Sequence, residues 1–154
     1  MDQLDRYFNP ISFAIDEQLI TFGAVLSGYL NFSHRKIIVA LIIMAFSSSL
    51  PDVLSYYDEQ ITGGEKREEA LKMAFIVFIS EIMAAMLVIS PLLFINNIKI
   101  GITISYILIC IILLLTNYYR DKDLYQSLMK LPLYILVCLT VWFISKITHK
   151  YFKI

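Results

Sequence analysis

Met73-Ala74-Phe75-Ile76-Val77-Phe78-Ile79-Ser80-Glu81-Ile82-Met83-Ala84-Ala85-Met86-Leu87-Val88-Ile89-Ser90-Pro91-Leu92-Leu93-Phe94-Ile95 decides the fold. It carries one charge, Glu81, in an otherwise apolar run. A helix rises 1.5 Å per residue, so about 20 apolar residues cross the hydrocarbon layer. The run therefore reads as a membrane-spanning helix. Working outward, four similar stretches follow the same logic: Ile11–Leu30, Ile37–Tyr57, Ile100–Tyr118 and Leu128–Thr148. The connections Asn31–Lys36, Asp58–Lys72, Asn96–Lys99 and Tyr119–Ser127 are short and polar. Tyr56, Tyr57, Tyr118, Tyr119 and Tyr151 gather at the ends, as an aromatic belt does. The expectation is an all-α integral membrane protein, a bundle of about five transmembrane helices in one domain over residues 1–154.

Composition agrees. The chain is 58% hydrophobic with a mean hydropathy of +0.70, against roughly 45–50% apolar for soluble domains. The formal net charge of zero gives no reason to expect nucleic acid as a partner. Cys110 and Cys138 lie in apolar runs and read as small buried hydrophobes, not as a disulfide or zinc framework. The polar start Met1-Asp2-Gln3-Leu4-Asp5-Arg6 lacks the pattern of a cleaved signal, so the first span is expected to direct insertion. Basic residues divide almost equally between the two sides of a five-span bundle, so charge bias leaves the orientation open.

Asp16, Asp52 and Glu81 sit inside apolar runs. Acids at membrane depth are costly and usually face a cavity, a partner or a substrate path, which points to handling of a cation or protons. Counting from the ends of their spans, Asp16 and Asp52 lie about 7–8 Å deep and Glu81 about 12 Å deep, all in one half of the membrane. In Ser47-Ser48-Ser49-Leu50-Pro51-Asp52, Pro51 frees the carbonyl of Ser47, and Met44, Ser48 and Asp52 share one helix face. Oxygen ligands with one thioether suit ferrous iron or manganese. Plainer readings compete: the serines bond back to their own helix, the methionines pack, and Asp16 and Glu17 lie at the interface.

Two further patterns allow two readings each. Thr62-Gly63-Gly64-Glu65 fits a capping box opening the third helix, with Glu65, Glu68 and Glu69 favoured by its dipole. Alternatively, Asp58, Glu59, Glu65, Glu68 and Glu69 form a cytosolic patch that collects cations. Gly23/Ser27 and Ala24/Gly28 are small pairs four apart, suited to a homodimer through the first helix or to packing within one subunit.

Ile15-Asp16-Glu17-Gln18-Leu19-Ile20-Thr21-Phe22-Gly23-Ala24-Val25-Leu26-Ser27-Gly28 resembles the first span of the vacuolar iron transporter family. Pro51-Asp52-Val53-Leu54-Ser55 resembles that family's second-span close, Glu59 follows as an acid often does there, and Ser90-Pro91-Leu92-Leu93-Phe94 resembles its third-span close. The resemblance implies a five-helix homodimer exporting ferrous iron or manganese from the cytosol in exchange for protons. It also implies a cytosolic N-terminus and a place for Asp16 on the metal path. There are departures. Glu17 replaces a glycine, Ser47 and Ser48 stand where the family has a Ser-Met pair, and Ala40 replaces an acid. Only Asp58–Lys72 stands in place of a long cytosolic metal-binding domain.

The function expected is transport of a divalent transition metal across a cell membrane, with Asp16, Asp52, Glu81, Met44 and Ser48 as ligands. Carboxylates bind metal only when deprotonated, which couples release to protons. The alternative is a non-transporting scaffold on the same fold, with the acids as helix glue. An intramembrane hydrolase is disfavoured, because His34 and His149 lie at span ends and no Gly-x-Gly-Asp signature occurs. No enzymatic activity and no permanently bound cofactor are expected.

Overall fold

The computed structural model describes residues 3–28 and 33–152, and among these every regular element is a helix. They are α1 (Gln3–Gly28), α2 (His34–Thr62), α3 (Arg67–Phe94), α4 (Ile98–Asp121) and α5 (Leu124–Phe152). Each helix begins before the apolar stretch read from sequence, and α2, α4 and α5 also run past its end. The polar flanks are good helix formers, and membrane helices commonly project beyond the hydrocarbon. The expected ends of the first span at Tyr29 and Leu30 lie outside the described residues.

α2 to α5 are each long and apolar enough to cross a membrane. α1 is as long, roughly 39 Å, but Asp16-Glu17-Gln18 breaks its apolar character at mid-length. It packs against all four other helices.

Paired residues fix the topology. Asp16 meets Thr116 and Ser27 meets Tyr106, so α1 and α4 are antiparallel. Gly23 faces Cys138 and Gly28 faces Ser145, so α1 and α5 are parallel. His34 Nε2 lies 2.6 Å from the Leu92 carbonyl, and Ser105 donates to the Val88 carbonyl at 2.7 Å. α3 therefore runs antiparallel to both α2 and α4. This alternation follows from connections of only a few residues.

The core is built by Leu19, Phe22 and Leu26 of α1, Leu41 and Ala45 of α2, Ala85, Val88 and Leu92 of α3, and Ile109 and Leu113 of α4. Of the most apolar window of α3, 44% is buried; for α5 the figure is 6%. α3 is thus interior and α5 presents its side chains outward, as lipid-facing helices do.

One local expectation is corrected. Thr62 is the last residue of α2, and α3 starts after Lys66 with no side-chain cap. The capping box fails because Gly64, at φ +87°, takes the turn between the helices and leaves Glu65 outside α3. Glu68 and Glu69 do occupy the first turn of α3. α2 also runs unbroken through Pro51.

Candidate functional site

Asp16, Glu17 and Gln18 follow one another at 100° steps around α1 and reach three different neighbours. Asp16 faces α4. Thr116 Oγ1 donates to its Oδ1, Asn117 Nδ2 donates to Oδ2 at 3.2 Å, and Arg120 lies 3.1 Å from Oδ2. Asn117 Oδ1 in turn accepts from Arg120 and, at 3.1 Å, from Lys130 Nζ, which also pairs with Asp121. The carboxylate is buried, and this network ties α1 to α4 and the start of α5. Both oxygens are engaged and their charge is matched by a guanidinium, so the geometry gives Asp16 the role of a clamp.

Glu17 faces a cavity of about 850 Å³ between α1, α2, α3 and α4. Its walls include Glu17, Asp52, Glu59, Glu81 and one base, Arg120. The α2–α3 pairing orders three of the acids by depth, with Glu59 outermost, Asp52 next and Glu81 innermost. Glu17 and Asp52 act electrostatically on Glu81. Glu81 is 0% exposed, and neither of its oxygens has a hydrogen-bond partner. The nearby Ser49 hydroxyl donates instead to the Ala45 carbonyl at 2.7 Å. An unpartnered buried carboxylate is expensive and rare, and it marks a place where a ligand, water or proton belongs.

Gln18 faces α2, where Ser48 Oγ lies 2.8 Å from Gln18 Oε1 and 2.7 Å from the Met44 carbonyl. Met44 packs on the hydrophobic core. Neither Met44 nor Ser48 lines the acidic cavity. Of the proposed cation-collecting residues, Glu59 lines it; Asp58, Glu65, Glu68 and Glu69 do not. The structure therefore gathers Asp52 and Glu81 from the expected ligands, and adds Glu17. It sets Asp16, Met44 and Ser48 apart.

Among the described residues, no three His, Cys, Asp or Glu side chains approach closely enough to hold one metal ion between them. A cation in this cavity would keep much of its water, as magnesium-like ions do. The residues that sequence reasoning passed over are Glu17, Gln18, Thr116, Asn117, Arg120 and Lys130. A signal existed for three of them: Thr116, Asn117 and Arg120 put polar groups at i, i+1 and i+4 in the same membrane half as Asp16.

A second cavity, about 420 Å³ and apolar, lies between α4 and α5 and is lined by Tyr106, Cys110, Cys138 and Trp142. Both cysteines are free thiols. No known family model, no curated protein and no solved structure matches this chain.

Proposed function

We propose that this protein carries a divalent cation across the membrane, with protons moving in exchange. Glu59, Asp52 and Glu17 draw the ion into the cavity, and Glu81 receives it at the inner wall. The observation that carries the reading is the Glu81 carboxylate, fully buried and unpartnered beside an acid-lined cavity. Deprotonated Glu81 binds the cation and protonated Glu81 releases it, which makes exchange the natural coupling.

The cargo follows from the ligands. With Met44 in the core, the cavity offers carboxylate oxygens and no thioether. Oxygen ligands favour manganese, magnesium or calcium over softer ions, so manganese ranks above ferrous iron. The likeness of the first three spans to vacuolar iron transporters supports export from the cytosol, with the acidic cavity and the N-terminus on the cytosolic side of a cell membrane. Homodimerisation belongs to the same reading. Gly23 and Gly28 already face Cys138, Val141 and Ser145 within this chain, so a dimer would use another face.

The scaffold reading draws on the Asp16 network, whose every oxygen is engaged as helix glue requires. It leaves Glu81 without a purpose, because glue has partners. The test is flux of manganese and ferrous iron into proteoliposomes under an imposed proton gradient. The expected result is manganese flux in the wild type that Glu81→Gln abolishes. Absence of flux with any divalent ion, from folded protein, overturns transport and leaves the scaffold.

A further inference from the structure

Resting on the reading of the acidic cavity as a cation path, we infer that the cavity also takes an organic cargo, a linear aliphatic polyamine. Its ammonium groups meet the acids, and its methylenes lie on an apolar stripe between them. Pro10, Phe13, Ala14 and Glu17 line the cavity at i, i+3, i+4 and i+7, one face of α1. Asp52 and Glu59 line it from α2 two turns apart, about 10 Å along the axis, and Glu81 lines it from α3. α1 and α2 are antiparallel, since α1 opposes α4 and α3 opposes both α2 and α4. The Gln18–Ser48 contact sets their register. Counting outward from it at equal rise, Pro10 comes level with Tyr56 and Ala14 with Asp52. The apolar stripe therefore lies between the levels of Glu59 and Glu17, with charge at either end.

Size and charge point the same way. The cavity, about 850 Å³, is of small-molecule dimensions, which run from about 300 to 1,000 Å³. A divalent ion with six waters fills only roughly 200 Å³. Among the described residues no three acids converge on one ion, so acids at separate levels face separate charges. Arg120, the one base among the described lining residues, is committed elsewhere. Its guanidinium lies 3.1 Å from Asp16 Oδ2, donates to Asn117 Oδ1, and comes within 3.8 Å of Asp121 Oδ1. Glu81 is 0% exposed, lines the cavity, and has no partner for either oxygen. An ammonium supplies the N–H donors that such oxygens accept. The Phe13 ring offers its face to a passing ammonium and its surface to the methylenes.

The test is binding of radiolabelled spermidine, and separately of manganese, to the full-length protein in detergent, with flux of both into proteoliposomes under a proton gradient. Propylamine is the single-charge control. The inference expects spermidine to bind roughly tenfold tighter than propylamine or better, and Glu81→Gln to weaken spermidine roughly tenfold or more. Phe13→Ala should weaken spermidine roughly twofold to fivefold and leave manganese unchanged, because a hydrated ion gains nothing from an apolar wall. Helicity and melting temperature verify each fold; if Phe13→Ala fails to fold, equal affinity for spermidine and propylamine in the wild type overturns the inference by itself. Spermidine binding that neither substitution changes lies outside the cavity and also overturns it. Manganese flux from a protein that neither binds nor carries spermidine overturns the polyamine and leaves transport standing. Spermidine binding that depends on Glu81 and Phe13, without flux of any cation, upholds the site and overturns transport. A wild type that binds neither spermidine nor manganese overturns both.

Discussion

Removing Arg120 separates a structural clamp from a transport ligand. Arg120→Met keeps an unbranched apolar stem and deletes the guanidinium 3.1 Å from Asp16 Oδ2. At that distance an effective dielectric of about 20 gives a gross attraction of roughly 5 kcal/mol. Desolvation offsets much of it, which leaves a net coupling of about 1–3 kcal/mol. The single substitution costs more than the coupling, because it strands a carboxylate whose side chain is 7% exposed. Stranding a buried charge typically costs about 3–5 kcal/mol; Arg120 is itself 23% exposed and borders the wet cavity, so about 2–4 kcal/mol is expected. Asp16→Asn should recover part of that loss in the Arg120→Met background, since a neutral amide no longer needs the partner. The assay is unfolding in mixed micelles with increasing dodecyl sulfate, followed by the fluorescence of Trp142, the chain's one tryptophan. A double-mutant cycle then isolates the pair. If the two substitutions add to within about 0.5 kcal/mol, the clamp does not exist. Asp16→Asn flux measured per folded molecule provides the functional counterpart: a ligand role abolishes it, and a clamp leaves most of it.

Two more expectations follow from the same geometry. Glu81→Leu removes the unpartnered carboxylate, so it should raise stability by about 1–3 kcal/mol in the same micelle titration while flux is lost; a destabilised Glu81→Leu contradicts the unsatisfied state of those oxygens. A Cβ on Gly23 would sit 3.1 Å from Cys138 Sγ, so Gly23→Ala should lower stability by about 1–3 kcal/mol, and adding Cys138→Ala should restore most of it; no rescue means that α1 and α5 are not in contact there.

The membrane fold was legible because hydrophobic run length is a physical requirement of the bilayer, and stretches such as Met73–Ile95 satisfy it with little ambiguity. The grouping of the acids toward one end of the bundle was legible for the same reason: span alternation puts Asp16, Asp52 and Glu81 at one end, and Asp52 and Glu81 line one cavity. Their partners were not. Depth fixes one coordinate, and rotation about each helix axis is set by packing across the bundle. A rotation of 100° separates Asp16, beside Arg120, from Glu17 at the cavity. Arg120 read as a loop residue because polar flanks look alike inside and outside a helix; α4 in fact runs on to Asp121 and carries the guanidinium back toward the bundle. Met44 and Ser48 share a face with Asp52, but that face runs from core to cavity over two turns, so shared spacing did not mean a shared site.

The position of α1 explains why its most polar turn is tolerated. A helix facing lipid must satisfy its polar groups alone, and α2 to α5 keep the apolar character that this requires. α1 packs against all four of them, so its neighbours supply what the bilayer cannot. Asp16 receives a guanidinium, a hydroxyl and an amide from α4. Gln18 receives a hydroxyl from α2. Glu17, opening on the cavity, remains accessible to water and ions. The three residues that make α1 the least apolar helix thus serve three neighbours. One clamps the bundle, one lines the acidic cavity with Glu81, and one meets Ser48 of α2. A scaffold needs only the first of these. The other two are costs to the fold that a scaffold does not require, and the cation transport proposed above is a reading that accounts for them.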